Sequence, residues 1–250
     1  MIPAFNESHR IRRSLDHLQQ FLARQQWWKH IEVIVVADGC TDDTPELVLN
    51  HRATFPALRL ISYPKNRGKG FALKTGVAKS QGRLVLVTDA DFSTPIEELP
   101  RLARFIELEQ AEIVIGSRRA DDAKIMLKQP LHRRVMGTTL SLFTRTVTGL
   151  PFRDTQCGFK LFSGSVARRL FSTLECDHFG YDLHILHRAM TGGERIIECG
   201  ITWTDSAGSR VRPLADGWKI LASAWALRFP SRTAASLSIR EPDPFLPSEC

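Results

Sequence analysis

The chain has 250 residues and a mass of 28.2 kDa, which fits one large domain or two small ones. Hydrophobic residues make up 43% and charged residues 24% of the sequence, a composition that excludes a disordered chain. The longest stretch without a charged side chain runs from Val135 to Thr144 and is too short to cross a bilayer.

The net charge is +7, from 34 Lys and Arg against 27 Asp and Glu. A basic surface favours phosphate-rich partners such as nucleotides, nucleic acid or an anionic membrane, and solubility alone is the alternative explanation. The five cysteines show no Cys-x-x-Cys pair and no zinc-ligand spacing, which is typical of a reducing cytosol. No basic-then-apolar leader opens the chain, so no signal peptide is predicted, and the cysteine pattern leads us to expect a cytoplasmic location.

Short apolar runs alternate with amphipathic ones through the first two thirds of the chain. The strand-like runs are residues 31–36 (IEVIVV), 58–62 (LRLIS), 84–88 (LVLVT) and 112–115 (EIVI). Helical periodicity marks residues 7–24, the segment after Gly70, and residues 96–108. This alternation predicts an α/β fold with a mostly parallel sheet flanked by helices.

The rest of the chain is less regular. It is predicted to form a basic helix over residues 125–150, strands at 155–162 and 194–204, and helices at 163–173, 181–191 and 213–228. Four prolines with many Ser and Thr predict a loose tail over residues 229–250, so the folded domain is expected to span residues 1–228.

The first polar loop, Pro3–Glu7, is preceded only by Met1 and Ile2. A parallel sheet needs a strand that leads into such a loop. We therefore expect a truncated first strand, and expect residues added upstream to raise the melting temperature. Because ligands of such sheets bind at the carboxyl ends of the strands, the loops after the strands should carry the chemistry.

One of these loops contains a pair of carboxylates, Asp89 and Asp91, directly after a strand. Two carboxylates two residues apart can reach one hard cation, and Mg²⁺ or Mn²⁺ would link them to a diphosphate. The alternative is a helix cap, because Ser, Thr and Pro follow at once.

Two further loops suit a nucleotide. Residues 36–44 (VADGCTDDT) place Asp38 where a carboxylate could accept a hydrogen bond from a base or ribose, and a plain turn with a helix cap is the alternative. Residues 66–70 (NRGKG) are glycine-rich and doubly basic before a helix, which suits an anion. They match neither a Walker loop nor a dinucleotide-binding fingerprint.

In combination, the motifs PAFNE, ADGCTDDT, NRGKG, DAD and GSR resemble the family 2 glycosyltransferases, which have a GT-A fold. Residues 154–162 (DTQCGFKLF) are similar to the polyprenyl-phosphate branch of that family, and look more like its dolichyl-phosphate glucosyl than its mannosyl members. Residues 208–211 (GSRV) resemble a later family element. The resemblance covers about residues 1–228.

The resemblance implies a role for each matching residue. The implied roles are nucleotide-sugar binding for Pro3, Phe5, Glu7, Asp38, Lys69 and Asp89, a Mg²⁺ or Mn²⁺ site at Asp89 and Asp91, catalysis by Asp91, Asp154 and Arg118, and acceptor-phosphate binding by Gln156, Lys160, Ser209 and Arg210. Asp91 is the expected direct metal ligand. Asp154 is expected either to hold the metal or to orient the acceptor.

Two positions depart from the family pattern. Ala37 stands where members have the first of two Asp residues, although Asp38 is kept. His184 stands where members have an acidic residue, which leaves position 184 without an implied role.

The implied reaction is inverting transfer of a hexose, expected to be glucose from UDP-glucose, to a polyprenyl or dolichyl phosphate. Such an acceptor is already a nucleophile, so the site must chiefly neutralise two anions. Two alternatives remain: a family 2 transferase with a soluble or protein acceptor, and a degenerate protein that binds nucleotide sugars without turnover. Nucleic-acid binding is not expected, because no basic patch interleaved with aromatic residues occurs.

A lipid acceptor implies a membrane contact. Residues 131–153 mix apolar and basic side chains, which is typical of a helix lying among lipid headgroups, with a core helix as the alternative. We therefore expect a peripheral protein at the cytoplasmic face of a membrane. Trp27, Trp28, Trp218 and Trp225 are interpreted as packing residues. His184 and His187 have no third metal ligand nearby in sequence and are interpreted as packing or surface residues.

Overall fold

The computed structural model describes residues 1–25, 30–127, 131–205 and 213–229, with only the backbone described at 131–135 and 213–216. The predicted acceptor residues Ser209 and Arg210, the tryptophans Trp27 and Trp28, and all of the predicted tail except Phe229, lie outside the described residues. Within the described part, no helix is both long and apolar enough to span a bilayer.

Strands and helices alternate from the first strand to the fourth helix, as the periodicity predicted. The strands are β1 (Ile2–Ala4), β2 (Val33–Asp38), β3 (Leu58–Tyr63), β4 (Leu84–Val87), β5 (Ile113–Ser117), β6 (Lys124–Leu127), β7 (Lys160–Ser163), β8 (Ile196–Gly200) and β9 (Thr202–Thr204). The helices are α1 (Ile11–Ala23), α2 (Thr44–His51), α3 (Lys69–Ala78), α4 (Leu99–Glu107), α5 (Leu131–Thr148), α6 (Gly164–Ser172), α7 (Tyr181–Thr191) and α8 (Pro213–Arg228), with a 3₁₀ turn at Ile96–Glu98 before α4.

The strands form two main sheets that meet at Met1. The first has the order β1-β2-β3 and is parallel, and the second has the order β4-β7-β5-β8. In the second sheet β7 runs antiparallel to both neighbours, while β8 is parallel to β5. The amino group of Met1 donates to the carbonyl of Leu86 (2.8 Å), and its carbonyl accepts from the amide of Thr88 (3.0 Å), so β1 lies between β2 and β4.

Helices cover both sides of the first sheet, as the continuous apolar run of β2 indicates. Every residue of β2 is buried. Val33 and Val35 pack with the apolar face of α1, whereas Ile34 and Val36 point to the other side and pack with Ala72 of α3. A further core lies between the second sheet and helices α6 and α7. The loops of the site follow the carboxyl ends of β1, β2 and β4.

Three predicted elements are wrong in part. The segment 125–150 begins as strand β6, because residues 124–127 pair with β9, a partner far along the chain that local periodicity does not show. For the same reason, residues 194–204 form two strands in different sheets. The predicted strand at 155–162 begins only at Lys160, and the residues before it form a turn at the site.

Candidate active site

The first two loops of the site hold each other in place. The hydroxyl of Thr44 accepts a hydrogen bond from the amide of Glu7 (2.8 Å), and the carboxylate of Asp42 accepts from the amides of Ser8 and Thr44 (both 3.0 Å). Although burial opposes ionisation, these hydrogen bonds lower the pKa of Asp42 to about 2. The loop Pro3–Glu7 therefore takes its shape from the loop that follows β2.

Asp38, at the end of β2, anchors the basic loop before α3. Its carboxylate is 4% exposed and accepts from the amides of Arg67 (2.7 Å) and Gly68 (2.8 Å) and from the side-chain amide of Asn66 (2.9 Å). Gly68 has a φ of +109°, and a Cβ there would lie 2.4 Å from the carbonyl oxygen of Asp177. The predicted contact of Asp38 with the base stays a prediction.

Asp89, the first carboxylate after β4, forms an ion pair with Lys69 at the start of α3. The Nζ of Lys69 lies 2.5 Å from Oδ1 of Asp89. Burial disfavours the charged form of each, yet their attraction raises the pKa of Lys69 and lowers the pKa of Asp89. Gly158 lies against the same carboxylate, since a Cβ there would be 1.9 Å from Oδ2. The fold thus brings segment 154–162 to the carboxylate pair.

Asp91, the second carboxylate, contacts Arg10, a residue that the sequence analysis missed. The Nη1 of Arg10 is 3.5 Å from Oδ2 of Asp91, and its Nε and Nη2 both donate to Glu7. Burial opposes the charge of Arg10, but Glu7 and Asp91 together raise its pKa. The available signal was the three-residue spacing of Glu7 and Arg10. Oδ1 of Asp91 accepts from the amide of Ser93 (3.0 Å), so the local cap is also formed.

Arg118 and Asp154 form a bidentate ion pair. The Nε and Nη2 of Arg118 lie 2.7 and 2.8 Å from the two oxygens of Asp154, and the amide of Arg118 donates to Oδ2 (3.0 Å). Asp154 is 2% exposed; burial raises its pKa, but Arg118 outweighs this and lowers the pKa to about 2. The geometry shows Asp154 holding Arg118, and its two predicted roles at the metal or acceptor stay predictions.

Lys160 is buried beneath the site. Its Nζ donates to the carboxylate of Asp182 and to the carbonyl of Cys157, and the two side chains are only 2% and 4% exposed. Burial raises the pKa of Asp182 although Lys160 opposes the shift. Neighbouring Gln156 has a buried Nε2 with no hydrogen-bond partner among the described residues.

Among the nucleotide-loop residues, Pro3 lies in β1 and Phe5 is 38% exposed.

Arg119 is a second cation that the sequence analysis passed over. Its guanidinium donates to the hydroxyl of Thr138 on α5 (3.3 Å), and no ion pair between described residues includes it. Burial and the adjacent charge of Arg118 lower its pKa, although Asp154 opposes this. Arg119 therefore offers a partly buried positive charge between β5 and α5.

The donor set at Asp89 and Asp91 suits a hard divalent cation. Mg²⁺ is usually held by one or two carboxylates and completes its shell with substrate phosphates and water. Within the ranges described above, no group of three or more His, Cys, Asp or Glu side chains gathers as a metal site. The two carboxylates therefore fit a metal that is shared with a diphosphate.

The sequence profile of the family described as Glycosyl transferase family 2 matches residues 1–171. The chain belongs to this family. It is 32% identical over 238 residues to a dolichyl-phosphate beta-glucosyltransferase of Dictyostelium discoideum, covering 92% of this chain and 73% of that protein. It is 31% identical over 225 residues to a Homo sapiens protein of the same name, covering 85% of this chain and 69% of that protein.

A solved structure shows the same fold. Glucosyl-3-phosphoglycerate synthase from Mycobacterium tuberculosis, in complex with Mn²⁺, UDP and glucosyl-3-phosphoglycerate, superposes with a TM-score of 0.65 at 20% identity, covering 91% of this chain and 77% of that one. The GT-A fold expected from the motifs is confirmed, and so is the enzyme class, because the family consists of glycosyltransferases.

The contact between Gly158 and Asp89 can be tested by Gly158→Ala. The added Cβ would displace the carboxylate, and a misplacement of about 1 Å costs roughly a hundredfold in rate. We expect glycosyl transfer to fall by that order while the melting temperature changes little. Gly217→Ala in α8, where an added Cβ meets nothing within 4 Å, is the matched control. Unchanged turnover in Gly158→Ala would show that this contact does not set the position of Asp89.

Proposed function

We propose that the protein transfers glucose from UDP-glucose, with inversion at the anomeric carbon, to dolichyl phosphate or a related polyprenyl phosphate. The observation that carries this proposal is the packing of segment 154–162 against Asp89, since this segment resembles the dolichyl-phosphate glucosyltransferases. The names of the relatives from Dictyostelium and Homo sapiens support the same acceptor and sugar. The UDP complex of the structural neighbour supports a nucleotide donor.

The residues of the site supply fixed positive charge for two anionic substrates. Arg118 is held rigidly by Asp154, and Lys69 reaches the carboxylate pair from the start of α3. Preorganised charges of this kind stabilise the transition state without reorganising during the reaction. A divalent ion at Asp89 and Asp91, when bound, would neutralise the departing diphosphate. The acceptor phosphate is itself the nucleophile, so no side chain has to remove a proton from it.

The donor and the metal requirement can be tested together. We expect radiolabelled sugar from UDP-glucose, and not from GDP-mannose, to enter a lipid-phosphate fraction. Asp91→Asn and EDTA should both abolish transfer, because the charge of the diphosphate is then no longer balanced as the bond breaks. Glu107→Gln, which alters an exposed acidic residue at the end of α4, is the matched control and should keep its activity.

Other outcomes would contradict the metal site or favour one of the alternative functions. Full transfer in EDTA would contradict the metal site. Transfer to a soluble acceptor without lipid would favour a family 2 enzyme of another acceptor class. Binding of UDP-glucose by calorimetry without any turnover would indicate a degenerate nucleotide-sugar-binding protein.

The acceptor phosphate requires a cation that is not already paired with a carboxylate of the protein. Lys160, predicted for this role, is buried and paired with Asp182. Arg119 is next to Arg118, partly buried, and outside the ion pairs that described residues form. Arg119 is therefore our preferred contact for the acceptor phosphate.

Two variants separate these roles. Arg119→Gln should raise the KM for the lipid phosphate about tenfold and leave the KM for UDP-glucose unchanged, since a charged hydrogen bond contributes about 1.5–3 kcal/mol. Lys160→Met should instead lower the free energy of unfolding by about 3–5 kcal/mol, because it leaves Asp182 buried without its partner. Initial rates and urea unfolding measure the two effects. A stable Lys160→Met protein with a raised acceptor KM would return the role to Lys160.

The membrane contact involves more than the predicted helix. Helix α5 exposes Leu142 (64%) and Phe143 (41%) and packs against α8. On α8, Trp218 is 72% and Trp225 is 58% exposed, so their interpretation as packing residues is wrong. The buried face of α8 carries Ile220 and Ala224 instead, and the tryptophans lie on the opposite side of the helix.

Indole rings favour the interface between lipid and water, so we add this face of α8 to the proposed contact. A protein bound to the membrane through such a surface can reach an acceptor lipid that is embedded there. The cytoplasmic face of the membrane stays part of this proposal, since it rests on the reducing environment that the cysteine pattern indicates.

Sedimentation with anionic liposomes tests the contact. We expect binding that weakens at high salt, and a loss of up to about a hundredfold in affinity when Arg133, Arg134 and Arg145 are all changed to Gln, because each basic residue contributes about 1 kcal/mol. The Trp218→Ser, Trp225→Ser variant should also bind less, at unchanged UDP affinity. Changing Leu49 and Leu108, exposed apolar residues elsewhere, to Ser is the control. A parent protein that never sediments would exclude this surface as the membrane contact.

A further inference from the structure

Each carboxylate of the Asp89–Asp91 pair already has a cation of the protein beside it. Lys69 approaches Asp89 with its Nζ 2.5 Å from Oδ1, and Arg10 approaches Asp91 with its Nη1 3.5 Å from Oδ2. The two cations come from different parts of the chain, since Lys69 is the first residue of α3 and Arg10 directly precedes α1. The arrangement therefore compensates the charge of both carboxylates before any substrate binds.

The two cations differ in how firmly they are held. Arg10 donates two hydrogen bonds to Glu7, and both side chains are largely buried, at 13% and 11% exposed. Lys69 has no such second carboxylate within hydrogen-bond distance among the described residues, and its ammonium lies 5.9 and 5.8 Å from the ring centres of Phe179 and Tyr181. A lysine ammonium on a four-carbon stem can change partner by rotating, whereas a guanidinium held at two points cannot.

We infer that Lys69 and Arg10 are built-in counter-ions of Asp89 and Asp91. A divalent cation therefore binds tightly only together with a nucleoside diphosphate, which replaces Asp89 as the partner of the Lys69 ammonium. This inference rests on the proposed function for the identity of the diphosphate. It assigns Lys69 a second position, at the diphosphate, and it assigns Arg10 the task of holding Asp91 in place.

The physical reason is charge balance in a partly buried site. A divalent cation that arrives alone meets carboxylates whose charge is already neutralised, and it lies close to the Lys69 ammonium, which repels it. A diphosphate adds negative charge and offers the ammonium a new partner, which frees Asp89. Because coupling between two ligands is reciprocal, the cation must strengthen diphosphate binding by the same factor.

Binding of Mn²⁺ followed by electron paramagnetic resonance tests this without any turnover. In the parent protein we expect Mn²⁺ to bind at least about tenfold more tightly when UDP is present, within the usual range of coupling between sites. Lys69→Met should bind Mn²⁺ alone about tenfold more tightly than the parent and should lose most of the effect of UDP. Lys69→Arg, which keeps the charge, should bind Mn²⁺ alone no more tightly than the parent. Lys79→Met removes a lysine charge at the exposed end of α3 and should change neither value.

The outcomes decide the inference separately from the reaction. If Lys69→Met binds Mn²⁺ alone no more tightly than the parent, or if the parent binds Mn²⁺ equally well with and without UDP, the inference is wrong. Thermal melting checks that the variants fold. Coupled binding of Mn²⁺ and UDP without glucose transfer to lipid phosphate would support the inference and refute the proposed function.

Discussion

Ion pairing at the carboxyl edge of the sheet is the interaction on which the rest of the site depends. Charged side chains leave water there, and a buried charge is tolerated only with a partner of opposite sign. The ion pair of Arg118 with Asp154 joins segment 154–162 to the residue that follows β5. The ion pair of Lys160 with Asp182 joins the same segment to α7. Residues 154–159 are thereby held at the site, next to strand β7, which itself pairs with β4 and β5.

The same pairing explains how a site rich in carboxylates can serve anionic substrates. The carboxylates of the site each have a cation or amide donors beside them, so the site does not present unpaired negative charge to a diphosphate; they are Asp38, Asp42, Asp89, Asp91 and Asp154. Asp38 is satisfied by the amides of Arg67 and Gly68, and Asp154 by Arg118. The local positive charge that remains comes from Arg119, and from Lys69 once it leaves Asp89.

Several predictions from the sequence were incomplete or wrong where the structure depends on contacts between segments that are distant along the chain. Strand β6 has an ordinary local sequence and became a strand only because β9 lies alongside it. Lys160 belongs to segment 154–162, and its side chain points into the core, where it pairs with Asp182 of α7; its predicted contact with the acceptor phosphate stays a prediction. The tryptophans of α8 were interpreted as packing residues, whereas the helix buries Ile220 and Ala224.

The sequence alone determined the fold class and the family, because alternating strands and helices and the order of the strand-end motifs are local properties that one chain displays directly. It also located Asp38, Asp89, Asp91 and Arg118 at strand ends, since period and loop position suffice for that. Which of these charges contact one another is a property of the tertiary fold. Arg10 with Asp91, Lys69 with Asp89 and Gly158 beneath the same carboxylate are separated by 20 residues or more along the chain, and only the crossover connections of the sheet bring them together.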